Sequence, residues 1–216
     1  DGKWQEAELP RLPSGALEMT DQPWGGDVVY LAASDFTTPL TLFALDLNVM
    51  ELTVMRRQPQ QFVSDGIEVR QFWAVSSDGE RIPYFHVGKN AAPDTPTLVY
   101  AYGGFGVPEL PHYLGSIGKY WLEEGNAFVL ANIRGGGEFG PRWHQAAQGI
   151  SKHKSVDDLL AVVRDLSERG MSSPEHIGLQ GGSNGGLITA AVFVRQPQSI
   201  GALVCEVPLT DMIRYP

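Results

Sequence analysis

The stretch "IGLQGGSNGGLITAAVFV", residues 177–194, decides how the chain is read. Ile177 and Leu179 belong to an apolar run with the character of a buried strand. Leu187, Ile188, Ala191 and Val192 follow at helical spacing. Between the two, Gly181 and Gly182 precede Ser183, and Gly185 and Gly186 follow it after a single Asn184. Glycine loses more freedom on ordering than any other residue, so flanking one serine with it implies a need for space. A sharp strand-to-helix turn supplies that need. Side chains two residues before and after the serine would collide there, and the strained turn lifts the hydroxyl clear of the strand end. A helix starting at Asn184 aims its free N–H groups and the positive end of its dipole at the same point.

Gly181–Gly185 therefore fits G-x-S-x-G between strand and helix, the nucleophile elbow of α/β-hydrolases. On pattern alone two other readings stay open: a plain glycine-rich turn at a strand end, and a phosphate-cradling loop. Against the second, no Lys follows in P-loop fashion and no G-x-G-x-x-G occurs at this position.

Outward from the elbow, strand and helix signals alternate. "TLVYAY" (97–102), "AFVLANI" (127–133), "HIGLQG" (176–181) and "GALVCEV" (201–207) are near-continuous apolar runs, as in strands buried on both faces. Val156, Leu159, Leu160, Val163 and Leu166 mark a helix between the second and third. Ser155 with Asp158 has the spacing of a capping box, and Gly170 is placed to end that helix. The alternation predicts an α/β fold with a parallel sheet and right-handed crossovers. Upstream, "SSDG" (76–79) separates two apolar runs as a hairpin turn does. Residues 1–65 read as all-β, with runs at 16–20, 27–34, 40–47 and 51–57, about the size of one propeller blade.

The composition fits a globular protein, with 43% hydrophobic residues. A net charge of -9 and a pI near 5.0 argue against nucleic-acid or anionic-membrane partners. Cys205 is the only cysteine, so no intrachain disulfide forms. The first residues, "DGKWQEAELP", lack an initiator Met and an apolar leader; they read as the interior of a longer protein and leave localisation open.

Three further motifs, "YAYGGFG" (100–106), "ANIRGGGEFGPRWH" (131–144) and "GGSNGG" (181–186), occur in that order. Together they resemble the catalytic domain of the prolyl oligopeptidase family of serine peptidases, continuously from about residue 66 to 216. The resemblance implies an α/β-hydrolase core at 66–216, cut inside its domain, preceded at 1–65 by the last blade of a β-propeller. It implies Ser183 as the acyl-enzyme nucleophile, and the Asn184 backbone N–H and the Tyr102 phenol as the two oxyanion donors. It gives Phe105 as a wall of the pocket for the residue before the scissile bond. Short peptides are the implied substrates, cleaved after proline; no cofactor and no metal are expected. Esterase or lipase chemistry on the same fold, or a non-catalytic binding module, are the alternatives.

Arg134 and Glu138 are placed to pair across a glycine loop, in a structural rather than catalytic role. All five histidines, at positions 86, 112, 144, 153 and 176, precede Ser183, whereas this fold orders its triad as Ser, acid, His. None of them fits the base, so the span alone is expected to lack peptidase activity. Asp211 reads as a loop residue.

Overall fold

In the computed structural model of the chain, residues 6, 8–21 and 26–214 are described; the first residues of the N-terminal stretch read above lie outside them. The described residues divide into two compact units, one of residues up to Val63 together with Leu110–Lys119, the other of Ser64–Glu109 and Tyr120 onward.

The first unit holds β1 (Ala16–Asp21), β2 (Val28–Ser34), β3 (Thr41–Asp46) and β4 (Glu51–Arg57). They form an antiparallel meander in the order β1-β2-β3-β4, the architecture of one propeller blade. The period-2 pattern of β2 and β3 buries Val29, Leu31 and Ala33 against Phe43 and Leu45 on one face. The β2–β3 turn is set by Asp35, whose Oδ1 accepts the amides of Thr37 at 2.9 Å and Thr38 at 2.7 Å. A three-residue helical turn, α1 (Gly115–Ile117), belongs to the same unit.

The second unit is built on a six-stranded mixed sheet in the order β10-β9-β7-β8-β6-β5. Its strands are β5 (Glu68–Val75), β6 (Arg81–Gly88), β7 (Thr97–Ala101), β8 (Ala127–Ala131), β9 (Ile177–Gly182) and β10 (Ala202–Glu206). The four strands from β10 to β8 are parallel, as the apolar runs predict. The β5–β6 hairpin adds an antiparallel edge through β6 and β8. Its turn closes with Ser76 N–H donating to Glu80 O at 2.8 Å, and Gly79 sits at φ 88°, which explains the Asp-Gly signal.

Three helices complete the unit: α2 (Pro141–Gln145), α3 (His153–Glu168) and α4 (Asn184–Arg195). The stripe Val156, Leu159, Leu160, Val163 and Leu166 of α3 is buried in one core with Ile188 and Val192 of α4 and with Val99, Val129 and Leu179 of the sheet. Truncating a fully buried leucine such as Leu159 to Ala would cost about 2–5 kcal/mol. At its C-terminus α3 ends as Gly170 predicts: Gly170 at φ 66° donates to Ser167 O, and Met171 donates to Leu166 O at 2.9 Å. Its N-terminus differs from expectation. The helix starts two residues before Ser155, and no side chain caps it. Ser155 Oγ donates to Arg134 O at 2.7 Å and Asp158 binds the Arg134 guanidinium, so Arg134, through its backbone carbonyl and its cation, claims both residues of the expected capping box.

Candidate active site

Strand β9 delivers the chain to Ser183, and α4 begins at the next residue. Ser183 sits at φ 53°, ψ -115°, a conformation that side-chain-bearing residues rarely adopt. Such a residue carries strain of about 1–3 kcal/mol that its surroundings must hold. They do so through the backbone: Ser183 N–H donates to Glu206 O at 2.9 Å, and Ser183 O accepts from Leu187 and Leu209. The glycines are required here by close approach. A Cβ at Gly181 would strike the Gly185 carbonyl, and one at Gly185 would strike the Ala101 carbonyl. The collision the glycines avoid is thus with backbone, not between two opposing side chains. Ser183 Oγ is half-buried and makes no hydrogen bond among the described residues.

Asn184 is the first residue of α4, so its N–H is one of the helix's orphan donors. Its side chain has a separate role that the motif does not announce: Nδ2 donates to Tyr102 O at 2.5 Å. Tyr102 directly follows β7 and is half-buried. Phe105, three residues on, is held at φ 56° with 61% of its surface exposed. Two of the four residues named from sequence are therefore positive-φ outliers.

The Tyr102–Gly106 loop interlocks with the "RGGGEFG" loop. Gly106 N–H donates to Gly135 O at 3.1 Å, and a Cβ at Gly135 would collide with Gly103 O. Beside them opens a mainly apolar cavity of about 460 Å³, lined by Phe105, His144, Lys152, Asn184, Leu187 and Met212. A slightly larger hollow of about 530 Å³ lies in the first unit against Leu40, Leu42 and Arg56, and holds none of the glycine-loop residues. The structure thus brings Asn184 against the Tyr102 backbone, puts Asn184 and Phe105 on one cavity, and sets Ser183 beside them in the chain.

Lys152 lies in a polar stretch two residues before Lys154, and no motif marks it. Its Nζ donates to Gly103 O at 2.8 Å, and burial lowers its pKa to about 8.

No imidazole among the described residues hydrogen-bonds Ser183. His144 shares the cavity, but its Nδ1 meets Gly135 O at 2.8 Å and its Nε2 meets Gln148 Nε2 at 2.6 Å. His112, His153 and His176 bond to Leu110, Ile150 and Ser173. His86 is buried in β6, where burial first and then the Arg70 charge lower its pKa to about 4. Asp211 pairs with Arg214 at the surface.

Arg134 and Glu138 do not pair. Arg134, 3% exposed, donates Nε to Asp158 Oδ2 at 2.9 Å, Nη2 to Asp158 Oδ1 at 2.6 Å and Nη1 to Asp78 Oδ2 at 2.6 Å. Burial opposes its charge, but the hydrogen bonds and charges of the two aspartates more than offset this and raise its pKa. The hydrogen bond from Arg134 in turn holds Asp78 well below the usual carboxylate range, against a smaller opposing effect of burial. Glu138 instead accepts from the Glu109 amide at 3.0 Å and from Asn132 Nδ2 at 3.2 Å; burial raises its pKa. The guanidinium is bound bidentately by both aspartates. Among the described residues no group of three or more His, Cys, Asp or Glu could hold a metal. No helix among them is long and apolar enough to cross a membrane.

Residues 114–216 match the family model described as the prolyl oligopeptidase family. The chain is 44% identical over 99% of its length to an uncharacterized peptidase of Rickettsia prowazekii, covering 30% of that protein. It is 30% identical over 87% of its length to the prolyl endopeptidase of Elizabethkingia meningoseptica, covering 27% of it. Among solved structures, that of a post-proline cleaving enzyme from Rickettsia typhi superposes with a TM-score of 0.87 at 37% identity, over 97% of this chain and 30% of that one. The chain thus spans about 30% of the length of curated relatives it matches. With the glycine elbow between β9 and α4, the mixed sheet behind it and these likenesses together, the chain belongs to the prolyl oligopeptidase family of peptidases.

Proposed function

We propose that this chain supplies the nucleophile and oxyanion side of a serine peptidase that cleaves short peptides, after proline, through an acyl-enzyme. Within that protein, residues 1–65 are the closing blade of a propeller and residues 66–216 the first part of the catalytic domain. The observation that carries the reading is Ser183 itself: a strained, half-buried serine whose hydroxyl has no partner among the described residues, at the N-terminus of α4. A hydroxyl left bare in a rigid turn is free to meet a substrate carbonyl and to give its proton to a base.

In the first half-reaction Ser183 Oγ forms a bond to the scissile carbonyl carbon as the base takes its proton. The carbonyl oxygen becomes an oxyanion, received by the Asn184 N–H and the Tyr102 phenol. The C–N bond then breaks, the amine leaves with the proton returned by the base, and the acyl group stays on Ser183 until water repeats the steps. The base is not one of the five histidines present: four are hydrogen-bonded elsewhere, and His86 is buried in β6. Phe105 forms an apolar wall for the residue before the scissile bond, which suits a proline ring. The Rickettsia typhi relative, described as post-proline cleaving, supports this choice.

The test is kcat for a Gly-Pro-nitroanilide peptide with the full-length protein. Ser183→Ala is expected to lower kcat by about 10⁴-fold or more. Turnover within about tenfold of the parent would remove Ser183 from the chemistry.

A further inference from the structure

We propose that Lys152 is a positioning residue for the reaction: its ammonium, bonded to Gly103 O, fixes the Gly103–Gly104 peptide of the loop that follows Tyr102 and so sets the oxyanion donor against the elbow. This rests on the reading of Tyr102 given above.

Two consecutive carbonyls of the loop are each held by a side chain. Asn184 Nδ2 takes Tyr102 O at 2.5 Å, and Lys152 Nζ takes Gly103 O at 2.8 Å. Asn184 belongs to the elbow and Lys152 to the turn entering α3, so the loop is clamped from two separate elements. Gly103 has no side chain of its own to anchor it, and it sits at φ 57°, in a conformation only glycine adopts at no cost. Its carbonyl is packed against Gly135, where no side chain fits.

The second reason is the cost of the cation. No carboxylate pairs with Lys152 among the described residues, while the other lysine of this segment, Lys154, meets Asp78. A half-buried ammonium without a counter-ion is expensive, and a neutral side chain there would be cheaper for folding alone. What the ammonium supplies is a charge-assisted hydrogen bond, about twice as strong as a neutral one. With a pKa near 8 it remains charged at neutral pH.

The experiment is a double-mutant cycle in the full-length protein, reading kcat and KM for the Gly-Pro-nitroanilide peptide, with thermal melting as the check on folding. Lys152→Met is expected to lower kcat about tenfold or more with KM changed by less than about twofold. Lys152→Arg, which keeps a charged donor, is expected to recover most of that loss. If Lys152 acts through Tyr102, then in the Tyr102→Phe background Lys152→Met costs less than about threefold, because the two losses are not additive. Full activity of Lys152→Met, or losses that simply multiply, would overturn the proposal. Should Lys152→Met fail to fold, Lys152→Gln takes its place in the cycle with the same outcomes read the same way. Ser183→Ala, run alongside, separates the failures: turnover in Ser183→Ala overturns the serine mechanism, whereas an inert Ser183→Ala beside a fully active Lys152→Met overturns the Lys152 role alone.

Discussion

Two glycine-rich loops of similar composition, "GGSNGG" at 181–186 and "RGGGEFG" at 134–140, treat Ser183 and Arg134 in opposite ways. The second buries Arg134 and satisfies its guanidinium with two aspartates and the Ser76 hydroxyl, while its own backbone N–H donates to Asp158. The first leaves the Ser183 hydroxyl without a partner among the described residues, on a strained backbone. Glycine makes both loops possible, but only the surroundings tell a brace from a reactive site. A saturated polar residue stabilises; a bare one in a rigid, strained turn is available for chemistry.

The contrast can be broken or sharpened by mutation, beginning with the brace. Arg134→Met leaves Asp158 buried without its cation, and breaking a buried pair of this kind costs about 3–5 kcal/mol. Urea denaturation should show the loss. A melting curve unchanged from the parent would mean that the cluster contributes nothing to stability.

His86 limits the lesson, because it too is bare. Its Nε2 is buried without a partner among the described residues, yet it lies in β6 and has no place in the proposed chemistry. The consequence is acid sensitivity. Its pKa is lowered from 6.5 to about 4 in the folded chain, so between those values the unfolded chain binds more protons. Stability therefore falls as pH drops from 6.5 towards 4, by up to about 3 kcal/mol for the full shift. His86→Phe should flatten that part of the stability profile; an identical slope in the variant would assign the acid sensitivity to other groups.

At the elbow the effects move to rates. Tyr102→Phe removes one proposed oxyanion donor and should lower kcat about 10²-fold with KM little changed. An unchanged kcat beside a raised KM would make Tyr102 a binding residue. Phe105→Ala should do the reverse and act mainly through KM, raising it about tenfold by opening the apolar wall. A loss confined to kcat would take Phe105 out of the binding pocket.

Much of this architecture was legible in the sequence. Periodicity gave the blade-like meander, the four parallel strands and the stripe of α3, because burial of one face leaves a regular mark. Gly170 and Asp78-Gly79 marked their turns, because positive φ selects glycine. Ser183 and Asn184 stood out through their spacing, and Tyr102 and Phe105 through the longer motif. What could not be read depends on partners far apart in sequence. Arg134 meets Asp78 and Asp158, which no local spacing links, and this long-range cluster displaced both the expected Arg134–Glu138 pair and the Ser155–Asp158 capping box. Lys152 reaches a carbonyl 49 residues away in sequence, and the side chain of Asn184 one 82 residues away. Hydrogen bonds to backbone leave no signature in the residue type of the acceptor.

The central claim is that Ser183 is the nucleophile, and covalent labelling tests it most directly. The full-length protein is treated with a fluorophosphonate, digested, and the modified peptide mapped by mass spectrometry. One adduct on Ser183, absent from Ser183→Ala and formed in step with loss of peptidase activity, is the predicted result. Loss of activity with the adduct on another serine, or peptide hydrolysis that survives full modification of Ser183, would contradict it.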